Sequence, residues 1–234
     1  KKNNILNKEI KDQLKKVGLI KTEETDIYNE NNIFKTFIEA RRFRYKNKNV
    51  IAPILELVNH DANAIKFITN EGFKTITQNR FEDEVLFNYN ESTPLRRYLK
   101  YGFFSAEKFS FSIPFTIEVN KNKLIMECKG YISFKDELTT YKNNGNIEIK
   151  SLPIGNTTSP EQPFLYFKHM MSHARFEIDE KEIFKEILEI NINFYTQLLK
   201  LIKTEKKNIQ LTDFIDSIYC ELSIIKQQYN LIIN

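Results

Sequence analysis

The sequence has little of several features that would narrow its function. Its two cysteines, Cys128 and Cys220, lie far apart and form neither a CxxC pair nor a Cys/His ligand spacing. A disulfide framework and a structural zinc site are therefore not indicated, and we expect no metal. No apolar run approaches the roughly 18 residues of a membrane span, and the polar start KKNNILNKEIKD lacks the apolar core of a secretory signal. We expect an intracellular protein, with cytoplasm, nucleus and organelle left open.

A strong excess of charge of one sign is also missing. The 35 Lys and Arg residues stand against 31 Asp and Glu residues, and the two signs are mixed along the chain. Mixing of this kind is typical of a solvated surface rather than of a nucleic-acid patch. With 41% hydrophobic and 28% charged residues, the composition is that of a globular protein. We expect no membrane contact and no direct contact with nucleic acid.

Apolar residues at helical spacing predict two helices near the start of the chain. The first covers residues 4–18 and ends at Gly18, which stands where a left-handed cap would be. The second is predicted to start after Thr25, whose side chain can cap it, and to run to Tyr45. Its expected core residues are Ile27, Phe34, Phe37, Ile38 and Tyr45, and its last turns hold Arg41, Arg42 and Arg44.

The end of the chain is also predicted to be helical. One helix is expected from Pro163 to about Arg175. A second is expected over 180–203, after an Asp179–Glu182 capping box, and a third over 213–232, with Thr212 as its cap. The apolar stripes of these helices favour a helical subdomain core over a cofactor site.

Between these ends the pattern changes to that of strands. Pro53 keeps the apolar run VIAPILELV from being a helix interior, and residues 65–69 and 73–77 predict a hairpin around Gly72. Val85, Phe87 and Tyr89 alternate along one further strand. A short helix is predicted from Pro94 to Tyr101, stopped by Gly102, and residues 109–154 are strand-rich. The fold class is therefore α+β, a β-rich core followed by a helical C-terminal domain.

The only dense cluster of candidate site residues lies between Ile51 and Phe104. Taken alone, an Asn-His pair after an apolar strand is more often structural than functional, and a Tyr on an alternating strand is by default a packing residue. The combination carries more weight than either part. The members of this cluster are Glu56, Asn59, His60, Tyr89, Tyr101 and Phe103.

Several motifs in this region resemble those of SET-domain protein methyltransferases of the Rubisco large-subunit methyltransferase type. The segments Ala40-Arg41-Arg42-Phe43 and IAPILELVNH follow the order of the family's Ser-Arg-x-Phe and LxPLADxxNH. The strand Glu82-Asp83-Glu84-Val85-Leu86-Phe87-Asn88-Tyr89 resembles the family's strand ending in Tyr. The helix ending Tyr101-Gly102-Phe103 is similar to its Tyr-Gly-Phe ending. These motifs cover residues 33–104, and the rest of the chain resembles the family only in its predicted architecture.

The resemblance implies S-adenosylmethionine as cofactor and a lysine, or as second choice a histidine, of a protein as substrate. It implies that His60 holds the adenine mainly through its backbone, while Arg41, Glu56 and Asn59 line the rest of the cofactor site. Tyr89 would be the catalytic tyrosine, and Tyr101 with Phe103 would shape the channel for the target side chain.

The family's early strands carry a Gly-x-Gly turn, and none of the six glycines here forms one. The resemblance therefore predicts a partial SET-like domain over 1–108 and a substrate-binding-like domain over 109–234. Two functions remain open, a protein methyltransferase and a non-catalytic SET-derived subunit of a larger protein assembly. An unrelated binding protein of mixed fold is the third interpretation.

Overall fold

Short strands and helices mix in the first two thirds of the chain, and its end is helical. A computed structural model describes residues 6, 8–20, 34–35, 37–38, 41–46, 48–51, 58–64, 86–89, 92–119, 121–127, 140–143, 145–204 and 211–234. The helices are α1 Lys8–Lys16, α2 Pro94–Tyr101, α3 Gln162–His173, α4 Glu180–Thr204 and α5 Thr212–Ile233. The strands are β1 Arg42–Tyr45, β2 Lys48–Ile51, β3 Asn59–His60, β4 Leu86–Phe87, β5 Phe109–Phe111, β6 Phe115–Val119, β7 Asn122–Met126, β8 Thr140–Asn143, β9 Asn146–Ile149 and β10 Pro153–Asn156. The mixed fold with a helical C-terminal region agrees with the prediction.

The chain divides into two units at a different place from the one predicted. Residues 1 and 22–91 form the first unit, and residues 2–21 and 92–234 form the second. The predicted boundary between 108 and 109 thus falls inside the second unit. Side chains of α2 explain why: the Tyr98 ring lies 5.5 Å from the ring of Phe214 on α5, and buried Arg97 pairs with Glu107.

The first unit begins its described strands with a hairpin. β1 and β2 pair antiparallel, with Arg42 opposite Ile51 and Tyr45 opposite Lys48. Lys46, at the turn, has a φ of 45°, in the left-handed region that tight hairpin turns require.

The predicted second helix is therefore wrong in its last turns. Residues 34–35, 37–38 and 41 are helical, but Arg42 and Arg44 lie in β1 rather than in a helix. The run Arg-Phe-Arg-Tyr alternates cationic and aromatic residues with period two, and pairing with β2 satisfies its backbone. Phe34 and Phe37, expected in the core, are 66% and 44% exposed. Thr25, Ile27 and the hairpin predicted around Gly72 lie outside the described residues.

The strand-rich segment of the second unit contains a four-stranded and a two-stranded sheet. The first has the order β6-β7-β9-β8, in which two antiparallel pairs, β6–β7 and β8–β9, meet through the parallel pair β7–β9. In the second, β5 pairs antiparallel with β10, and the register shifts between Pro153 and Gly155. Strands are present in the described parts of the predicted region 109–154, and residues 120, 128–139 and 144 lie outside the described residues.

Most helix boundaries follow the local signals in the sequence. Gly18 has a φ of 63° and closes α1, where the Leu19 amide donates to the Leu14 carbonyl at 2.9 Å. Asp179 Oδ1 accepts from the Glu182 amide at 3.1 Å before α4. The start of α5 differs, because Leu211 and not Thr212 stands at the N-cap position.

The core of the second unit lies among its helices and sheets. Ile10 and Leu14 of α1, Leu124 of β7, Phe184 of α4 and Phe214 of α5 are all fully buried. The described helices include none long and apolar enough to cross a membrane.

Candidate active site

The two strands β3 and β4 bring the Asn-His pair beside the segment that ends in Tyr89. They pair in parallel, with Asn59 opposite Leu86 and His60 opposite Phe87. The Asp61 amide extends the ladder by donating to the Phe87 carbonyl at 3.1 Å. Sequence positions that are far apart along the chain therefore meet at one short ladder in the first unit.

His60 and Tyr89 are in direct contact at the end of this ladder. The Tyr89 amide donates to His60 Nδ1 at 3.1 Å, and the two rings lie 5.1 Å apart at an angle of 49°. An Nδ1 that accepts a hydrogen bond requires the neutral imidazole with its proton on Nε2. The Tyr89 hydroxyl donates to the Val58 carbonyl, so Tyr89 is held at both its backbone and its hydroxyl.

Asn88, the residue directly before Tyr89, is buried. Its Nδ2 donates to the Ala62 carbonyl at 3.1 Å, whereas its Oδ1 has no hydrogen-bond partner among the described residues. The loop it contacts is closed by Asp61 Oδ1, which accepts from the Asn63 amide at 2.8 Å. A buried acceptor without a donor is costly, so Asn88 Oδ1 marks a position that a donor group would stabilise.

Of the other three cofactor candidates in the first unit, the structure describes Arg41 and Asn59. Arg41 places its guanidinium carbon 4.0 Å from the ring centroid of Phe37. Asn59 is exposed on β3, next to His60. Glu56 lies outside the described residues.

Tyr101 and Phe103 form a separate aromatic pair, in the second unit. Their rings are 6.1 Å apart at 32°. The Arg97 guanidinium carbon and Lys100 Nζ lie 5.3 Å and 4.7 Å from the Tyr101 ring centroid, within the range of cation–π attraction. Arg97 is fully buried and its Nε lies 2.6 Å from Glu107 Oε1. The Tyr101 ring is therefore placed by two cations of its own helix.

The start of α2, the helix that ends at Tyr101, is held by Glu221 of α5. The Ser110 hydroxyl donates to Glu221 Oε1 at 2.5 Å, the Leu95 amide donates to Oε2 at 3.3 Å, and Thr93 also bonds to this side chain. A carboxylate at a helix N-terminus is favourable. Complete burial nevertheless dominates and raises the pKa of Glu221 from 4.5 to about 7, although these hydrogen bonds lower it.

Two of these groups were missed at the level of sequence. For Asn88, the sequence offers one indication, its position next to Tyr89. Glu221 follows Ile218 by three residues and precedes Ile225 by four, which puts a carboxylate on the apolar stripe of α5. Among the described residues, no three His, Cys, Asp or Glu side chains come together as metal ligands.

Comparisons with protein families, with curated proteins and with solved structures found no match to this chain.

Proposed function

We propose that the chain is an S-adenosylmethionine-dependent protein N-methyltransferase of the SET type, acting on a lysine and as second choice on a histidine. The observation that supports this is the contact between His60 and Tyr89, residues 29 positions apart that meet beside the β3–β4 ladder. The resemblance gives these two residues the cofactor and catalytic roles, and a methyltransferase of this type requires them to be close.

Polar groups beside this contact support the choice of cofactor. S-adenosylmethionine has an adenine amine and ribose hydroxyls, and Asn88 Oδ1 is a buried acceptor that lacks a donor among the described residues. The exposed side chain of Asn59 lies on the same strand as His60. By the resemblance, His60, Asn59, Arg41 and Glu56 would hold the cofactor.

Tyr89 has the chemistry to orient the nucleophile. When bound, the cofactor would supply a methyl group on a sulfonium; a neutral nitrogen of the target would attack this methyl carbon in line with the C–S bond, and the sulfur would leave as a neutral thioether. The Tyr89 hydroxyl donates its proton to the Val58 carbonyl, and a hydroxyl oxygen in that state can still accept a hydrogen bond from the target amine. Such a bond points the nitrogen lone pair in a fixed direction, and alignment is what this reaction needs most from the protein. By the resemblance, Tyr101 and Phe103 would shape the channel for the target side chain.

Cofactor binding is the first test. Calorimetric titration of the purified chain with S-adenosylmethionine should show saturable binding below millimolar concentration. Asn59→Ala should weaken this binding, whereas Asn193→Ala, an exposed asparagine on α4, should not. Absence of binding to the unmodified chain near millimolar would refute the methyltransferase proposal for this chain.

Tyr89→Phe separates catalysis from binding. The variant should bind the cofactor within about threefold of the unmodified chain but transfer label from radioactive S-adenosylmethionine to an acceptor protein extract about a hundredfold more slowly, because alignment is lost. Tyr229→Phe is the matched control, since it also removes a hydroxyl hydrogen bond, to Glu189 on α4. Thermal unfolding should reveal a loss of about 1 kcal/mol for the Val58 bond. Unchanged transfer by Tyr89→Phe would mean that another residue orients the nucleophile.

A non-catalytic SET-derived subunit of a larger assembly is the second candidate. The absence of any Gly-x-Gly pair among the six glycines favours it, because that turn lets the backbone approach the methionine end of the cofactor. This candidate predicts no binding of S-adenosylmethionine, so the same titration decides between the two.

A further inference from the structure

A groove between α4 and α5 lies outside the proposed methyl-transfer site. It has a volume of about 680 Å³ and is open to solvent along its length. On α5 its walls run from Tyr219 to Asn230. At about 1.5 Å per residue this is roughly 16 Å, or three helical turns, which matches a helical segment better than a small molecule.

The floor and the rim of this groove differ in chemistry. Leu199 of α4 and Leu222 of α5 are 7% and 5% exposed and form an apolar floor. Lys200, Lys203 and Lys226 line the rim and are exposed to solvent. Two lysines on α4 and one on α5 thus border an apolar strip.

The cationic rim is not neutralised within the described part of the chain. None of the described lining residues is acidic, and none of the three rim lysines lies within 4.0 Å of a carboxylate of a described residue. The position of Lys203 near the end of α4 is also favoured by the helix dipole, but Lys226 is in the middle of α5 and has no such explanation.

We propose that this groove binds an amphipathic, acidic helical segment of a partner protein, with apolar residues on Leu199 and Leu222 and carboxylates on the three rim lysines. The positive charge of the rim favours an acidic partner, and the apolar floor favours a peptide with an apolar face. A nucleic-acid groove would instead be expected to carry several aromatic stacking groups and arginines. The described lining has Tyr219 as its aromatic residue and contains no arginine.

This proposal is independent of methyl transfer. All lining residues belong to the second unit, whereas His60 and Tyr89 belong to the first. The binding test needs no cofactor, so its failure and the failure of the proposed function would be distinguishable.

Three fluorescent probes test the proposal by anisotropy on the full chain. The first is a peptide of about 16 residues with Leu on one helical face and Glu beside it, the second has Gln at each Glu, and the third is a single-stranded RNA of about 20 nucleotides. We expect saturable binding of the acidic peptide at micromolar concentration. The Gln peptide should bind about tenfold more weakly, and added salt should weaken the acidic complex.

Two triple variants locate the site. Lys200→Gln, Lys203→Gln and Lys226→Gln together should weaken acidic-peptide binding about tenfold or more, which corresponds to about 1.4 kcal/mol. The matched control replaces Lys123, Lys168 and Lys181, three exposed lysines elsewhere in the second unit, by Gln and should change binding less than twofold.

The remaining outcomes overturn the proposal. Absence of acidic-peptide binding up to millimolar, or equal binding of the Gln peptide, would remove the argument from charge complementarity. Equal effects of the two triple variants would show that binding is not located in the groove. Tighter binding of the RNA than of the acidic peptide, lost in the groove variant, would make the groove a nucleic-acid site instead.

Discussion

Replacing Glu221 by Gln should change the pH dependence of stability in a defined direction. The carboxyl is completely buried, and its pKa is raised from 4.5 to about 7. Between these two pH values the folded chain binds more protons at this position than the unfolded chain does. The free energy of unfolding therefore falls as the pH rises through this window. Since one pH unit corresponds to about 1.4 kcal/mol, the loss from this group is about 3 kcal/mol above pH 7.

Gln reproduces the protonated state of Glu221. Its amide oxygen can accept from the Leu95 amide, and its amino group can donate to Ser110 Oγ, whose hydroxyl rotates freely enough to accept. The variant and the unmodified chain should thus be nearly equal in stability at about pH 4.5. At about pH 8 the variant should be more stable by about 3 kcal/mol, because it has no buried charge to retain.

Urea unfolding, followed by far-UV circular dichroism at several pH values, measures this difference. Taking the difference between variant and unmodified chain at each pH removes the contributions of all other titrating groups. Glu186→Gln, which removes a carboxylate exposed on α4, controls for the loss of one negative charge. A Glu221→Gln difference that stays constant from pH 4.5 to 8, or a variant that is less stable at pH 8, would refute the reasoning.

Three further predictions concern the interior of the second unit. Arg97→Met should lower the free energy of unfolding in urea by about 3–5 kcal/mol, because Glu107 is left buried and charged. Adding Glu107→Leu should recover much of this loss, and a further loss in the double variant would contradict the argument. Gly155→Ala should cost about 1–3 kcal/mol, since its Cβ would lie 2.5 Å from Ile224 Cγ2, and most of that cost should vanish in an Ile224→Ala background. Partial burial, with smaller contributions from two nearby carboxylates, raises the pKa of Cys220 to about 11 from 9, so with the other cysteine replaced by Ser its alkylation near pH 8 should be about a hundredfold slower than that of an ordinary thiol; equal rates would show that the Cys220 thiol has the pKa of an exposed one.

Features set by a few neighbouring residues could be predicted from the sequence. Gly18 and Gly102 end their helices in the left-handed conformation, with φ of 63° and 81°. Asp179 bonds the Glu182 amide before α4 as its spacing indicates. In each case the interaction spans at most five residues, so the signal is local.

Features that depend on distant partners could not be predicted in the same way. The strand Arg42–Tyr45 was assigned to a helix because its pairing with β2, not its own propensity, decides its conformation. The contact between His60 and Tyr89 could not be predicted, since no periodicity joins positions so far apart. The burial of Glu221 follows from groups as distant in sequence as Leu95 and Ser110.

The parallel pairing of β3 and β4 also bears on the order in which the first unit folds. A chain of about 25 residues, from 61 to 85, must close before this ladder can form, at an entropic cost near 3 kcal/mol plus a constant. Each of the two strands has only two residues, so the ladder itself offsets little of that cost. We therefore expect the ladder to form late and to open more readily than the core helices of the second unit. Amide hydrogen exchange at Asp61 and Tyr89 would then be faster than exchange in the core helices of the second unit, and a ligand that bridges the two strands would slow it.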